Sequence, residues 1–212
     1  MSEEEQASGR FITFEGIDGS GKSTQARLLA EYLREAGHDV VLTREPGGSP
    51  GAEDIRKLVL EGAQDRWSPE TELLLFTAAR RDHLERVIDP ALERGAIVIC
   101  DRYVDSTRMY QGIARGNQRD QVDVLHDLII QRDPDLTLLI DMEPKCGLDR
   151  ALERGGDEER FESFGEELQA RIRQGFLELA KEFSDRIVVV DGNRPIEDIA
   201  GEIRGLVTKT LA

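Results

Sequence analysis

The sequence predicts an α/β fold in which five parallel strands form a sheet covered by helices on both faces. The main observation is that short apolar runs alternate along the chain with longer segments of helical period. These runs are apolar at nearly every position, which is typical of strands buried on both faces of a parallel sheet. A second observation is that the first run leads into a glycine-rich turn, and a helical segment follows at once.

The predicted strands are five short runs separated by helical segments. They are Arg10–Glu15, Val40–Leu42, Ala96–Cys100, Leu136–Ile140 and Ile187–Val190. The first helix follows the glycine-rich turn and ends near Gly37, since glycine is common just after a helix end. Another helix begins at Ser68, a serine cap followed by a proline in the first turn, and runs toward Pro90.

The chain of 212 residues is long enough to bury one sizeable core, and we expect residues 10–212 to form a single domain. Residues 1–9 are polar and acidic, and we interpret them as a disordered leader rather than a secretory signal. The polar stretch at about 150–163 interrupts two helices and predicts a small mobile lid.

A net charge of −15 argues against nucleic acid and anionic membranes as partners, because an acidic surface repels both. The basic residues comprise 23 arginines and only five lysines. This composition resembles that of proteins from salt-loving organisms, and we favour that interpretation over a merely acidic mesophile protein. Because the chain has two cysteines and no apolar run long enough to span a membrane, we expect a cytoplasmic protein.

The segment from Gly16 to Ser23 has the spacing G-x-x-x-x-G-K-[ST] between a predicted strand and a predicted helix. In such a P-loop, backbone N–H groups turn toward phosphate oxygens at the positive end of the helix. We expect Lys22 to reach the β- and γ-phosphates of ATP and the Ser23 hydroxyl to bind Mg²⁺. The predicted ATP-binding residues of this segment are Gly16, Ile17, Asp18, Gly19, Ser20, Gly21, Lys22, Ser23 and Thr24.

Asp101 and Arg102 directly follow the third predicted strand. The carboxyl ends of parallel strands border the ligand crevice of an open α/β sheet, so both residues should lie beside the P-loop. We expect Asp101 to hold Mg²⁺ through water and Arg102 to bind an anion, although Arg102 in a surface ion pair is the alternative. The chain has no Asn-Lys-x-Asp segment for reading guanine, which argues against a GTPase.

Several further segments occur in a specific order after these. They are Phe14–Gln25, Thr43–Gly48, Leu74–Arg80, Asp101–Tyr103, Ser106–Thr107, Tyr110–Gly112 and Pro134–Asp141. In order and spacing they resemble the thymidylate kinase family, and the similarity runs from Phe11 to about Ile203. The resemblance implies transfer of the ATP γ-phosphoryl group to thymidine monophosphate (dTMP), with dTDP and ADP as products, and a homodimer.

The resemblance also implies the residues that bind dTMP. They are Asp18, Glu45, Pro46, Arg56, Phe76, Arg80, Arg102, Ser106, Tyr110 and Gln111. Asp18 would hold the sugar 3′-hydroxyl, although an N-terminal helix cap is another role for an aspartate there. Phe76 would stack on the pyrimidine, although without the family pattern a core role would be preferred. For Ser106, Tyr110 and Gln111 the alternative is an ordinary polar loop, and Met109 departs from the small residue usual in the family.

Members of the family carry a catalytic arginine either in the P-loop or in the lid. This P-loop has no cation between its two flanking glycines, so the chain resembles the bacterial-type subgroup with a lid arginine. Arg160 best matches that position, and Arg150 is expected to bind ATP. The alternative for Arg160 is pairing with neighbouring glutamates in a solvated helix start. The expected catalytic residues are Lys22, Arg102, Arg160 and Asp18.

Two other functions remain open from the sequence. One is a nucleotide or nucleoside kinase of the same fold that acts on a different acceptor. The other is a P-loop protein that binds ATP without turning it over. The presence of Arg80, Arg102 and Gln111 favours the enzyme that the resemblance implies.

Overall fold

The computed structural model describes residues 9–63, 65–114, 118–154 and 165–211, with side chains of the third range described only as far as Arg150. Its centre is a five-stranded parallel sheet in the order β2-β3-β1-β4-β5. The strands are β1 Arg10–Glu15, β2 Val40–Arg44, β3 Ile97–Asp101, β4 Leu136–Asp141 and β5 Ile187–Asp191. All five predicted strands are therefore confirmed, each within a residue or two of its expected bounds.

The helices lie between the strands. They are α1 Lys22–Glu35, α2 Pro50–Leu60, α3 Pro69–His83, α4 Asp89–Glu93, α5 Val104–Thr107, α6 Arg119–Leu125, α7 Pro144–Arg154, α8 Glu166–Glu182 and α9 Ile196–Leu211. Three π-helical turns continue α3, α5 and α6, namely Leu84–Ile88, Arg108–Ala114 and His126–Ile130. The predicted leader lies almost entirely outside the described residues, and so does most of the predicted lid.

Both faces of the sheet are buried, as the apolar strands predict. On one face Ile12 and Phe14 of β1 pack with apolar residues of α1 and α9. On the other face Phe11 packs under the α3–α4 region, and Leu139 of β4 packs against α8. Because the strands are parallel, their carboxyl ends meet at one edge of the sheet, where ligands bind in this class of fold.

The local signals at the helix ends act as expected. The Ser68 side chain accepts a hydrogen bond from the backbone N–H of Thr71, and Pro69 begins α3. Gly37 has a φ of 90° just beyond α1, in the left-handed region that glycine tolerates. The helix runs toward Pro90 as predicted, but α3 itself ends at His83, and a π-helical turn, Leu84–Ile88, connects it to α4. The extra residue in that turn changes the helical phase.

A buried charge cluster ties α5 to the sheet. Arg186 donates from both terminal nitrogens to the two carboxylate oxygens of Asp105, at 2.7 and 2.9 Å. Arg108 donates to the same carboxylate at 2.8 Å, and Arg186 also donates to the Thr137 hydroxyl of β4. The Asp105 side chain is 1% exposed, and these two cations hold its pKa below the ordinary value despite burial.

None of the described helices is both long enough and apolar enough to cross a bilayer.

Candidate functional site

The P-loop joins β1 to α1 and has the geometry of an anion site. Gly21 is the N-cap residue of α1 at a φ of 94°, and no side-chain hydrogen bond from this position caps the helix. The first turn of α1 contains no acidic residue, so its unpaired N–H groups remain suited to phosphate. Gly19 has a φ of 73°, and a Cβ there would lie 1.9 Å from the Gly147 carbonyl oxygen of α7. The loop therefore depends on glycine at both positions.

Lys22 lies within this loop. Its Nζ donates to the Ile17 carbonyl at 2.7 Å, so the ammonium is held among the backbone groups that would surround phosphate. Burial, assisted by the charge of Arg102, lowers the pKa of Lys22 to about 8. A bound polyphosphate would favour the charged form of this lysine, because an opposite charge stabilises a buried ammonium.

Ser23 and Asp101 lie together at the edge of the loop, as predicted for a metal site. The Ser23 hydroxyl donates to Oδ2 of Asp101. The other carboxylate oxygen, Oδ1, is buried and has no hydrogen-bond partner among the described residues. A hydroxyl and a carboxylate with an unused oxygen are the hard oxygen ligands that Mg²⁺ prefers, with phosphate and water completing its shell. The described residues form no group of three or more histidine, cysteine, aspartate or glutamate side chains that could hold a metal ion.

Asp18 does not cap α1, because Gly21 occupies that position without a side-chain hydrogen bond. The alternative prediction, that Asp18 is an N-terminal helix cap, is therefore wrong. Its carboxylate instead accepts side-chain hydrogen bonds from three of the described residues. The donors are Arg102, Tyr110 at 3.0 Å and Gln169 at 3.1 Å. Burial opposes ionisation, yet the charges of Arg102 and Lys22 and these hydrogen bonds keep the Asp18 pKa below its ordinary value.

Arg102 is not a simple surface ion pair. Its side chain is 17% exposed, and it contacts Asp18, the Ser106 hydroxyl at 3.1 Å and the ring face of Tyr110. The backbone φ of Arg102 is 68°, a left-handed conformation that costs free energy in a non-glycine residue. This turn directs the guanidinium from the end of β3 toward the P-loop.

Glu15, at the end of β1, supports that turn. Its carboxylate accepts hydrogen bonds from the backbone N–H groups of Tyr103 and Ser106, at 2.8 and 3.1 Å, and from the Ser106 hydroxyl at 2.6 Å. Burial, together with the nearby charge of Asp105, raises the pKa of Glu15 to about 7. Ser106 was predicted to read the base, and its hydroxyl donates to this carboxylate.

A pocket opens beside the P-loop and encloses about 490 Å³ of space, part of it continuous with solvent. Twelve residues line it: Asp18, Glu45, Pro46, Leu60, Phe76, Arg80, Arg102, Tyr103, Ser106, Thr107, Tyr110 and Gln111. Nine of the ten residues predicted to bind dTMP are among them. The tenth, Arg56, is not in the lining, and its guanidinium donates to the Pro46 carbonyl at 2.7 Å.

Two buried hydrogen-bonded groups shape the pocket wall. Arg80 donates from Nε to Glu45 at 2.7 Å and from a terminal nitrogen to the Thr107 hydroxyl at 2.9 Å. Gln111 donates from its amide to Glu72 at 3.0 Å, so the orientation of that amide is set within the protein. Phe76 is half-buried and contributes to the lining as well as to an apolar cluster. Its two proposed roles are therefore compatible.

The alternative of a polar loop for Tyr110 and Gln111 is wrong, because both are buried in the π-helical turn Arg108–Ala114. Met109 is also fully buried there, in the cluster beneath the pocket. Arg150 lies on α7 with its guanidinium 3.6 Å from the Met142 sulfur. Arg160 lies outside the described residues.

Sequence reasoning missed several residues of this site. Glu15 had a signal, since a carboxylate at the end of an apolar strand beside a P-loop needs buried partners. Tyr103 and Thr107 lie within segments that matched the family pattern, but binding roles were predicted only for their neighbours Arg102 and Ser106. Gln169 gave no signal, because a glutamine in a helix with many charged residues looks like part of a solvated face.

Comparisons with known proteins agree on one family. The family model described as thymidylate kinase matches residues 14–203. The chain is 68% identical over 203 residues to the thymidylate kinase of Ruegeria pomeroyi, and the match covers 96% of each chain. It is 64% identical to the thymidylate kinase of Dinoroseobacter shibae, over 92% of this chain and 94% of the relative. The crystal structure of thymidylate kinase from Ehrlichia chaffeensis superimposes with a TM-score of 0.77 at 38% identity, covering 95% of this chain and 99% of that chain.

Proposed function

This chain belongs to the thymidylate kinase family, whose members phosphorylate dTMP, and we propose how its own residues carry out that reaction. The observation that carries the proposal is the pocket beside the P-loop, which shares Asp18 with that loop. An acceptor in the pocket and a polyphosphate on the loop would therefore meet at one carboxylate and at Arg102. Such an arrangement suits in-line transfer between two bound anions.

In the proposed complex, the P-loop N–H groups and Lys22 hold the ATP phosphates, and Arg102 holds the phosphate of dTMP. An oxygen of that phosphate attacks the γ-phosphorus while the bond to the β-phosphate oxygen breaks, which gives dTDP and ADP. The attacking oxygen already carries negative charge, so no general base is required. The role of the protein is to position the two anions and to balance the charge that spreads over the phosphoryl oxygens.

Mg²⁺ is the proposed cofactor, with Ser23 as a ligand and Asp101 holding it through water. When bound, the ion neutralises phosphate charge and orients the oxygens of the polyphosphate. Oδ1 of Asp101 supports this assignment, because it is buried and no described residue hydrogen-bonds to it.

We also propose the lid arginine of the bacterial-type subgroup, with Arg160 as the catalytic cation and Arg150 near ATP. The support is the absence of arginine and lysine between Gly16 and Gly21. An interaction made mainly in the transition state lowers kcat more than it raises KM when it is removed, and this is expected of Arg160→Ala. Turnover equal to wild type would move the role to another arginine.

Further proposals concern assembly and location. We propose a single kinase domain over residues 10–212, a cytoplasmic location and a homodimer. In support of the homodimer, Leu58 of α2 and Leu74 of α3 are 38% and 57% exposed. Burial of such residues is a common basis of dimer interfaces. Sedimentation of the protein as a monomer across micromolar concentrations would exclude the homodimer.

The acceptor pocket predicts which nucleoside monophosphates are preferred as acceptors. Phe76 offers a stacking face to one pyrimidine ring, and Arg80 and Gln111 form the polar wall opposite its edge. A cytosine presents an amino donor where thymine has a carbonyl, and an unsatisfied buried donor costs about 1–3 kcal/mol. Uracil lacks the methyl group of thymine, and the loss of one methyl contact in an apolar pocket weakens binding of the substrate by about 1–3 kcal/mol. A purine would extend into the wall near Pro46 and Tyr110.

The test is kcat/KM for dTMP, dUMP, dCMP and dGMP at one salt concentration. We expect dTMP to be preferred, dUMP to be poorer but measurable, and dGMP to be inert. Lys22→Ala is the matched inactive control, since it removes the phosphate-binding charge while its circular dichroism should match wild type. Preference for dCMP or dGMP would contradict the proposed acceptor pocket, and turnover by Lys22→Ala would contradict the P-loop role.

A further inference from the structure

Gln169 lies on α8, far along the chain from the P-loop, yet its side chain contacts Asp18. Its amide nitrogen donates to Oδ2 of Asp18 at 3.1 Å, across a separation of 151 residues. The residue is 1% exposed, so the contact is fully enclosed by protein. A buried hydrogen bond to a carboxylate is stronger than a neutral one, because the acceptor is charged.

The Asp18 carboxylate is held by donors from three separate segments. Arg102, after β3, binds Oδ1, while Tyr110, in the π-helical turn, and Gln169, on α8, share Oδ2. With donors on both oxygens, the plane of the carboxylate is fixed. If Gln169 lost its donor, Tyr110 would be the remaining donor to Oδ2 among the residues that the structure describes, and Tyr110 itself lines the acceptor pocket.

The other end of the Gln169 amide argues against a purely packing role. Its carbonyl oxygen Oε1 is buried and has no hydrogen-bond partner among the described residues. A buried polar atom without a partner costs stability, and an apolar side chain of the same length would avoid that cost. The amide is therefore best explained by what its donor end does for Asp18.

We propose that Gln169 is a positioning residue for recognition of the acceptor sugar, acting through Asp18. By donating to Oδ2, it orients the Asp18 carboxylate so that a remaining lone pair accepts the 3′-hydroxyl of the nucleotide. The inference rests on the proposed function, in which Asp18 holds that hydroxyl. It adds that α8 contributes to acceptor recognition without touching the acceptor.

The test combines a substitution in the protein with a deletion in the substrate. Gln169→Met keeps the length of the side chain and removes its donor. We expect kcat/KM for dTMP to fall about tenfold, as for loss of a hydrogen bond to a charged group, whereas 2′,3′-dideoxythymidine monophosphate should lose less than about twofold. Gln174→Met is the matched control, because Gln174 is an exposed residue of the same helix, and it should change neither value.

A second variant gives an independent readout through pH. In Gln169→Glu, the introduced carboxyl repels Asp18 when ionised and donates to it when protonated. Relative to wild type, its kcat/KM for dTMP should recover as the pH falls from about 8 to about 6. With 2′,3′-dideoxythymidine monophosphate as the acceptor, the kcat/KM of Gln169→Glu relative to wild type should change much less over the same pH range.

Equal losses for both acceptors in Gln169→Met, or no loss for either, would overturn the inference. If Gln169→Met does not fold, the pH profile of Gln169→Glu decides. A kcat/KM of Gln169→Glu that does not change with pH relative to wild type would also overturn the inference. Asp18→Asn separates this inference from the proposed function. If Asp18→Asn selectively impairs dTMP but Gln169→Met does not, only the role of Gln169 fails. If Asp18→Asn impairs both acceptors equally, the role of Asp18 fails as well.

Discussion

At the scale of single residues, the site places ionisable groups where water cannot reach them. Glu15 is the clearest case, because it is 1% exposed and its pKa is raised to about 7 by burial and by the charge of Asp105. The same carboxylate supports the backbone of Tyr103 and Ser106 behind Arg102. Its protonation state therefore affects both the stability of the fold and the position of the neighbouring Arg102.

Glu15→Gln should change the pH dependence of stability. Between the ordinary pKa of 4.5 and a folded value of about 7, the folded protein holds a proton that the unfolded chain releases. The contribution of Glu15 to stability is therefore full at low pH and falls as the pH rises through this window. Relative to Glu15→Gln, the wild-type free energy of unfolding should fall by up to about 3 kcal/mol across it. Urea unfolding of both proteins measures this difference, and parallel pH profiles would contradict the prediction.

Single residues also show where sequence reasoning stopped. The positions of Asp101 and Arg102 could be predicted, because the end of a parallel strand has a fixed place beside the P-loop. The contact between Gln169 and Asp18 could not, because no local rule specifies which face of α8 meets a loop that lies 151 residues earlier in the chain. Contacts of this kind depend on the packing of whole elements.

At the scale of elements, the strands were predicted closely because each is a short, mostly apolar run that ends in a charged residue. The start of α3 was equally clear from Ser68 and Pro69. The π-helical turns could not be predicted, since their extra residue is accommodated by tertiary packing rather than by composition. One of them, Arg108–Ala114, contains Tyr110 and Gln111, so the exact shape of the pocket beside the P-loop could not be predicted from the sequence either.

The cluster of Asp105, Arg186 and Arg108 joins α5 to the sheet, and its removal should be costly. Arg186→Met leaves Asp105 buried with part of its charge uncompensated, and we expect the free energy of unfolding to fall by about 3–5 kcal/mol. Denaturant unfolding measures the loss. The guanidinium of Arg186 also lies over the ring of Phe183, 4.6 Å from its centroid, so some of the loss reflects that contact.

Two controls isolate the buried pair. Arg27→Met breaks an exposed pair with Glu31 and should cost less than about 1 kcal/mol. The double variant Asp105→Asn/Arg186→Met should lose less free energy of unfolding than the sum of the losses in the two single variants. Each substitution alone leaves the charge of its partner partly uncompensated, and the double variant removes both charges. Additive effects would show that the two side chains act independently.

At the scale of the whole molecule, the net charge of −15 is the dominant property. Like charges spread over a small folded protein repel one another, and the unfolded chain relieves part of this repulsion. We propose that the protein is adapted to high salt, since added ions shorten the range of the repulsion to about 3 Å at 1 M. The 23 arginines and five lysines fit the same hypothesis.

Molar potassium chloride should accordingly raise the Tm. Differential scanning calorimetry between low and molar salt measures the shift, and kcat/KM for dTMP under the same conditions shows whether activity follows stability. Sodium chloride at equal ionic strength is the control for a specific effect of potassium. A Tm that stays constant or falls as salt is added would contradict the proposed adaptation to high salt.

The strand order of the sheet also has a consequence for synthesis on the ribosome. β1 is made first, but it lies at the centre of the sheet, between β3 and β4. The hydrogen bond from Phe11 to Asp135 spans 124 residues, which take about 6–25 seconds to translate at about 5–20 residues per second. During that interval the nascent chain carries Ile12 and Phe14 without Leu136 and Leu138, the residues of β4 that pair with them. A chain released before β4 would therefore keep one edge of its central strand open to other nascent chains, and that edge favours aggregation.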